Sequence, residues 1–194
     1  GVDPYRFIEI LTSLLPDDAV IVSGNGTASV CLHQAGVVKN NTRVIMNSGC
    51  AAMGYDLPAS IGACLASSPL TPHSSRAVIC ITGDGSIQMN IQELQTIKHH
   101  NLPIKIFVLN NNGYHSIRQT QDNYFEGRHV GADPDSGVSC PEIIEIAKAY
   151  HLPAFWLAQH DQMIKTLPFL LKTPGSFICD VRLTQDYKFD KLTL

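Results

Sequence analysis

Two hard oxygen ligands, Asp84 and Asn111, stand 27 positions apart in this 194-residue chain. Asp84 sits in Gly83-Asp84-Gly85-Ser86, and Asn111 is the middle residue of Asn110-Asn111-Asn112. Their separation matches one strand-turn-helix-strand crossover. If the two strands are parallel neighbours, their carboxyl ends lie side by side and both side chains point at one Mg²⁺ or Ca²⁺. The glycines around Asp84 let the backbone approach an anionic ligand closely. A lone Gly-Asp-Gly also reads as an ordinary polar turn. The second ligand at the end of the next strand turns the reading toward a cation-bridged cofactor pyrophosphate.

The elements that must hold these residues are readable locally. Ala77–Thr82 and Ile104–Leu109 are short continuous apolar runs, as expected of parallel strands covered on both faces. Between them, Asn90 followed by Glu93 resembles a capping box, with Ile91, Leu94 and Ile97 on one apolar face and Asn101 and Pro103 as the stop. Elsewhere the pattern predicts a helix from Asp3-Pro4 to Leu15, a strand at Ala19–Val22 and a helix to Ala35. A strand is expected at Arg43–Met46, a helix from Pro58, and a polar connection over residues 67–75. Residues 113–139 lack periodicity and read as a long functional loop. Helix 141–150, strand 154–157, helix 161–171 and strand 177–181 follow. Strands alternating with helices predict a single three-layer α/β/α domain around a mainly parallel sheet of about six strands. Three loops then follow strand ends, at 24–27, 83–86 and 110–113, where open parallel sheets bind ligands.

Composition limits the function classes. A net charge of −3 gives no electrostatic case for nucleic acid or an anionic membrane. The six cysteines form no C-x-x-C pair and read as small buried thiols of a reducing cytoplasm. Neither a signal peptide nor a long apolar span is present in the sequence given. A nicotinamide dehydrogenase fits poorly: after Gly24-Asn25-Gly26, the third fingerprint glycine is replaced by Ser29, and no acidic residue ends the strand near Met46.

Gly83-Asp84-Gly85 followed by Asn110-Asn111 resembles the signature of the thiamine-diphosphate enzymes, the superfamily of acetolactate synthase and the 2-keto-acid decarboxylases. Gly85-Ser86, Met89-Asn90, Gln92-Glu93-Leu94, Asn101-Leu102-Pro103, Ala52-Met53-Gly54 and Leu57-Pro58-Ala59 are similar to acetolactate synthases and to acetolactate-synthase-like proteins of bacterial surface-polysaccharide clusters. The resemblance implies that Asp84, Asn111 and the Gly113 carbonyl hold Mg²⁺. It places Gly83, the N–H groups of Gly85 and Ser86, and Tyr114 at thiamine diphosphate, with Gly24, Asn25, Gly26 and Thr27 on the other side of the diphosphate. Ala51 and Met53 would meet the aminopyrimidine through their backbones, and the Met53 side chain would prop the bent cofactor; a core methionine is the alternative.

The same resemblance implies an activating glutamate on a complementary pyrimidine-binding domain, in the same or a neighbouring subunit, and a homo-oligomer acting on a 2-keto acid such as pyruvate. FAD, where relatives bind it, lies on a middle domain outside these residues. The chain is therefore expected to be the C-terminal part of a larger enzyme, excised or split, and inactive alone. Alternatives are a non-oxidative 2-keto-acid decarboxylase, or a non-catalytic assembly protein that retains the cofactor. Two departures bear on specificity. Thr27-Ala28 replaces the glutamine-histidine pair of acetolactate synthases, and Thr120 replaces their tryptophan nine residues beyond the metal-binding asparagine. An acceptor other than 2-ketobutyrate, such as a keto-sugar nucleotide, is the expectation. His115 and Arg118 read either as substrate-facing groups or as solvated loop residues.

Overall fold

A computed structural model describes residues 1–67 and 76–189. The polar connection expected at 67–75 lies, from residue 68 onward, outside the described residues. Six strands, β1 (Val20–Ser23), β2 (Arg43–Met46), β3 (Val78–Gly83), β4 (Ile104–Asn110), β5 (Ala154–Leu157) and β6 (Phe177–Arg182), form one sheet in the order β2-β1-β3-β4-β6-β5. Every pairing is parallel. The expected three-layer α/β/α fold is the observed one, with the sheet wholly rather than mainly parallel.

Alternation along the strands divides the core. Ile21, Ile79, Ile81, Phe107, Leu109 and Cys179 face α1 (Pro4–Leu14), α2 (Gly26–Ala35) and α8 (His160–Lys172). Val20, Val22, Val78, Cys80, Ile106, Val108 and Ile178 face α3 (Asp56–Ser67), α5 (Glu93–His99) and α7 (Ile143–Ala149). Both faces are apolar because both are covered, so the strands read as runs rather than as alternation. Asp3 caps α1 by accepting from the Arg6 N–H at 2.9 Å, and Pro4 follows at the first helical position.

Two expectations fail here. The helix after β3 does not start at a capping box on Asn90. The chain turns directly into α4 (Asp84–Ile87), passes through a 3₁₀ turn at Gln88–Asn90, and enters α5. Asn90 instead donates its amide to the Gly54 carbonyl at 2.8 Å, and the Glu93 carboxylate accepts from the Thr96 hydroxyl. A tertiary partner has taken the side chain that local reasoning assigned to capping. Residues 113–139 are not one long loop: α6 (His115–Tyr124) and a 3₁₀ turn at Pro134–Ser136 lie within them. Only His115 of α6 is buried, so this helix carries no apolar stripe to announce it.

All six cysteines are free thiols; Cys31, Cys64, Cys80 and Cys179 are buried, Cys140 is half-buried and Cys50 is exposed. Among the described residues, no helix is long and apolar enough to cross a membrane.

Candidate functional site

The chain leaves β1 for the sheet edge at β2 and returns on the other side of β1 as β3, so the loops after β1 and β3 diverge at a switch point. Gly83 pairs with Leu109 in the β3–β4 ladder, which brings Asp84 and Asn110-Asn111 out of adjacent strands at the same edge. A cavity of about 130 Å³ opens there. Asn25, Gly26 and Thr27 from the turn after β1, Met53, Gly83, Asp84, Gly85 and Ser86 at the end of β3, and Asn111, Gly113 and Tyr114 after β4 line it. His115, Ser116 and Ile117, from the first turn of α6, complete the wall. Two anticipated residues are not in the lining: Gly24 packs against Asp56, and Ala51 lies on an exposed segment with φ +49°.

Asp84 is only 2% exposed. Each of its carboxylate oxygens accepts one backbone N–H, Oδ1 from Gly85 at 3.0 Å and Oδ2 from Gly113 at 2.9 Å. Each oxygen thus keeps a lone pair for another partner. Burial pushes the Asp84 pKa up to about 6, against the pull of these N–H groups and of the Arg118 charge. The Gly85 N–H, expected at the diphosphate, is therefore committed to Asp84, and the Gly85 backbone also sits under the Tyr114 ring. A Cβ at Gly85 would come within 2.3 Å of that ring.

Asn111 is divided in its bonding. Its Nδ2 donates to Thr27 Oγ1 at 3.1 Å and to the Tyr187 hydroxyl at 3.2 Å. Its Oδ1 is buried without a hydrogen-bond partner. A buried amide oxygen left unpaired is costly unless a ligand uses it. Asn110 has a different task, donating to the buried Asp180 at 3.0 Å. A desolvated carboxylate and an unpaired amide oxygen form a hard donor set. Among the described residues, no three His, Cys, Asp or Glu side chains gather in a way that would suit a softer metal. The residues present fit a hard divalent cation.

Arg118 is not part of this cavity's lining. Its guanidinium donates to the carbonyls of Asn111 at 2.7 Å and Asn112 at 3.1 Å, and so braces the 111–113 loop. His115 is 7% exposed and lines the cavity, and its Nε2 has no partner. Burial and the Arg118 charge push its pKa down to about 4, so the imidazole is neutral. Thr120 is exposed on α6 and bonds back to the Ser116 carbonyl.

Sequence reasoning missed two supports. Asp56, fully buried, accepts from the Ser86 hydroxyl at 2.8 Å, while Ser86 Oγ accepts from the Gly54 N–H at 2.9 Å. Burial raises the Asp56 pKa. The Asp56–Leu57–Pro58 run was a helix-start signal that pointed to this place, because an acidic residue before a first-turn proline is a cap-like pattern. Tyr187 comes from the segment after β6, 76 positions from Asn111, and nothing local in the sequence signals it.

The chain is similar to known proteins over nearly its whole length. The chain is 30% identical over 184 residues to acetolactate synthase 1, chloroplastic, of Zea mays, covering 93% of this chain and 28% of that protein. It is 34% identical over 186 residues to the acetolactate synthase large subunit of Porphyra purpurea, covering 96% of this chain and 30% of that protein. The chain thus spans less than a third of the length of these relatives. Its fold matches the Rhodococcus jostii RHA1 thiamine diphosphate-dependent 4-hydroxybenzoylformate decarboxylase with a TM-score of 0.81, at 24% identity, over 97% of this chain and 34% of that one. The family described as thiamine pyrophosphate enzyme, C-terminal TPP binding domain, matches residues 24–181, and the chain belongs to it.

Proposed function

We propose that this chain is the cation-and-diphosphate half of an acetolactate-synthase-like enzyme acting on a 2-keto acid. The observation that carries the reading is the buried, unpaired Asn111 Oδ1 beside the desolvated Asp84 carboxylate. Asp84, Asn111 and the carbonyl of Gly113 would hold Mg²⁺. The Gly113 N–H is already committed to Asp84, which leaves its carbonyl as the available backbone group. The backbones of Asn25, Gly26, Gly85 and Ser86, with Thr27, would border the diphosphate from two sides of the cavity.

When bound, thiamine diphosphate supplies the electron sink that a 2-keto acid needs to lose CO₂. The chain's own contribution is orientation and dryness. Ser86 is held by Asp56 and Gly54, so its backbone cannot drift from the cavity. Tyr114 covers Gly85, and neutral His115 closes the wall without adding a second positive charge. Met53 lines the cavity, where its side chain would support the bent cofactor.

The proton-activating glutamate would come from a complementary pyrimidine-binding domain, in a homo-oligomer. These residues would then form one domain of a larger protein with little turnover of their own. Six free thiols suit a reducing compartment such as the cytoplasm. On the acceptor side, Thr120 puts a small exposed side chain on α6 close to Ile117, which is 43% exposed. That open wall favours a bulky acceptor such as a keto-sugar nucleotide over 2-ketobutyrate.

The test is turnover of the full-length protein with pyruvate, Mg²⁺ and thiamine diphosphate, with and without sugar-nucleotide acceptors. Pyruvate consumption that requires both Mg²⁺ and cofactor supports the assignment, and none under any acceptor refutes it. Acetolactate as the sole product would refute the bulky-acceptor reading while leaving the decarboxylase reading standing.

A further inference from the structure

The family match ends at residue 181, yet a residue beyond it reaches the candidate cation site. Residues 183–189 run from the end of β6 across the start of α6 as a strap. Leu183 donates to the Asn110 carbonyl at 2.9 Å, and the Tyr187 ring stacks on His115 with centroids 3.9 Å apart and planes 24° from parallel. Phe189 is pinned through its backbone by the Gln119 amide: its N–H donates to Oε1 at 2.9 Å and its carbonyl accepts from Nε2 at 3.3 Å. Tyr187 is 6% exposed, and its hydroxyl lies 2.7 Å from Thr27 Oγ1 and 3.2 Å from Asn111 Nδ2.

We propose that Tyr187 is a positioning residue for the cation: it fixes the Asn111 amide so that Oδ1, not Nδ2, remains the free end at the cavity. The inference rests on Asn111 being a cation ligand. An amide can turn by half a rotation and exchange its donor and acceptor ends. In the observed orientation, the Nδ2 group faces two hydroxyl oxygens that lie 2.7 Å apart, and one of those hydroxyls donates to the other. Turned over, the amide would present two unpaired hydrogens to the site and repel a cation.

Without the Tyr187 hydroxyl, Nδ2 loses one of its two acceptors. The Thr27 O–H is then free to donate to Oδ1 of the turned amide, so the orientations approach equal energy. Cation affinity falls with the fraction of molecules that present oxygen. A strap outside the matched domain thereby sets the affinity of the site within it.

The experiment compares wild type, Tyr187→Phe and Gln119→Ala in the full-length protein. Thiamine diphosphate binding is followed by titration calorimetry over a range of Mg²⁺ concentrations, with the melting temperature of the cofactor-free protein measured in parallel. Tyr187→Phe keeps the ring stack and removes only the hydroxyl. It is expected to raise the Mg²⁺ half-saturation roughly 3- to 10-fold, the range set by one net hydrogen bond, with cofactor affinity recovering at saturating Mg²⁺. Gln119→Ala loosens the strap without touching the cavity and is expected to act in the same direction by roughly 2-fold, so it carries the test if Tyr187→Phe does not fold.

A half-saturation unchanged in both variants overturns the proposal. So does a weakening that excess Mg²⁺ fails to restore and that follows a lowered melting temperature, since that marks packing alone. Wild-type cofactor binding that ignores Mg²⁺ would instead remove the cation reading beneath it, a result visible before any variant is made.

Discussion

Asp84→Asn should stabilise the protein in the absence of cation while removing cation binding. Asp84 is 2% exposed and its pKa is raised from 3.8 to about 6, chiefly by burial. A carboxyl whose folded pKa lies above its unfolded value favours the folded state at low pH, and that stabilisation is lost as pH rises through the folded value. At 1.36 kcal/mol per pKa unit, the charged form of Asp84 destabilises the cation-free fold by about 3 kcal/mol near pH 7.5. Asparagine removes the charge but satisfies only one of the Gly85 and Gly113 N–H donors, which returns roughly 1–2 kcal/mol. The net expectation is a variant about 1–2 kcal/mol more stable at pH 7.5, or roughly 3–6 °C in melting temperature for a domain of this size. Near pH 5 only about half of that penalty remains and the lost N–H partner offsets it, so the difference should approach zero, and by pH 4 wild type should be the more stable. Urea or thermal unfolding without divalent cations, at several pH values between 4 and 8, reads the effect. Added Mg²⁺ and thiamine diphosphate should then stabilise wild type only. An Asp84→Asn variant less stable than wild type at pH 7.5, or a difference independent of pH, would refute the reasoning.

Gly85→Ala places a Cβ within 2.3 Å of the Tyr114 ring, an overlap expected to destabilise the fold by about 1–3 kcal/mol in chemical denaturation. Gly85→Ala combined with Tyr114→Ala should recover part of that loss, because the obstructing ring is gone. His129 bridges Asp122 at 2.9 Å and Asp133 at 2.8 Å, and these carboxylates raise its pKa above 6.5. The clamp is complete below pH 6.5 and loosens as pH rises through the raised value. Hydrogen exchange, corrected for intrinsic rates, should therefore show residues 126–133 losing protection at alkaline pH, and His129→Ala should abolish that dependence.

The crossover from β3 to β4 was legible because its signals are local. Two apolar runs announced the strands, and the 27-residue interval between Asp84 and Asn111 is a property of chain length alone. The helix at Asp84 was harder to place: Asn90 carries a good capping side chain, but Gly54 takes it in the folded protein. Helix α6 escaped because Gln119, Thr120, Gln121 and Asp122 show no apolar period, and its place is set by Arg118, the Ala132 carbonyl and the strap. The Asp56–Ser86 bond and the Tyr187 contact join residues 30 and more positions apart, and no spacing rule reaches across such a gap. The pattern is physical: the ligands lie at strand ends, where register fixes them, whereas the groups that orient them arrive through tertiary packing.

The most direct measurement is anomalous diffraction from crystals of the full-length protein grown with Mn²⁺ and thiamine diphosphate. The account predicts one manganese peak at ligand distance from the Asp84 carboxylate and Asn111 Oδ1, with the diphosphate between residues 25–27 and 85–86. A cation bound elsewhere, or a diphosphate seated without contact to Asp84 and Asn111, would contradict it.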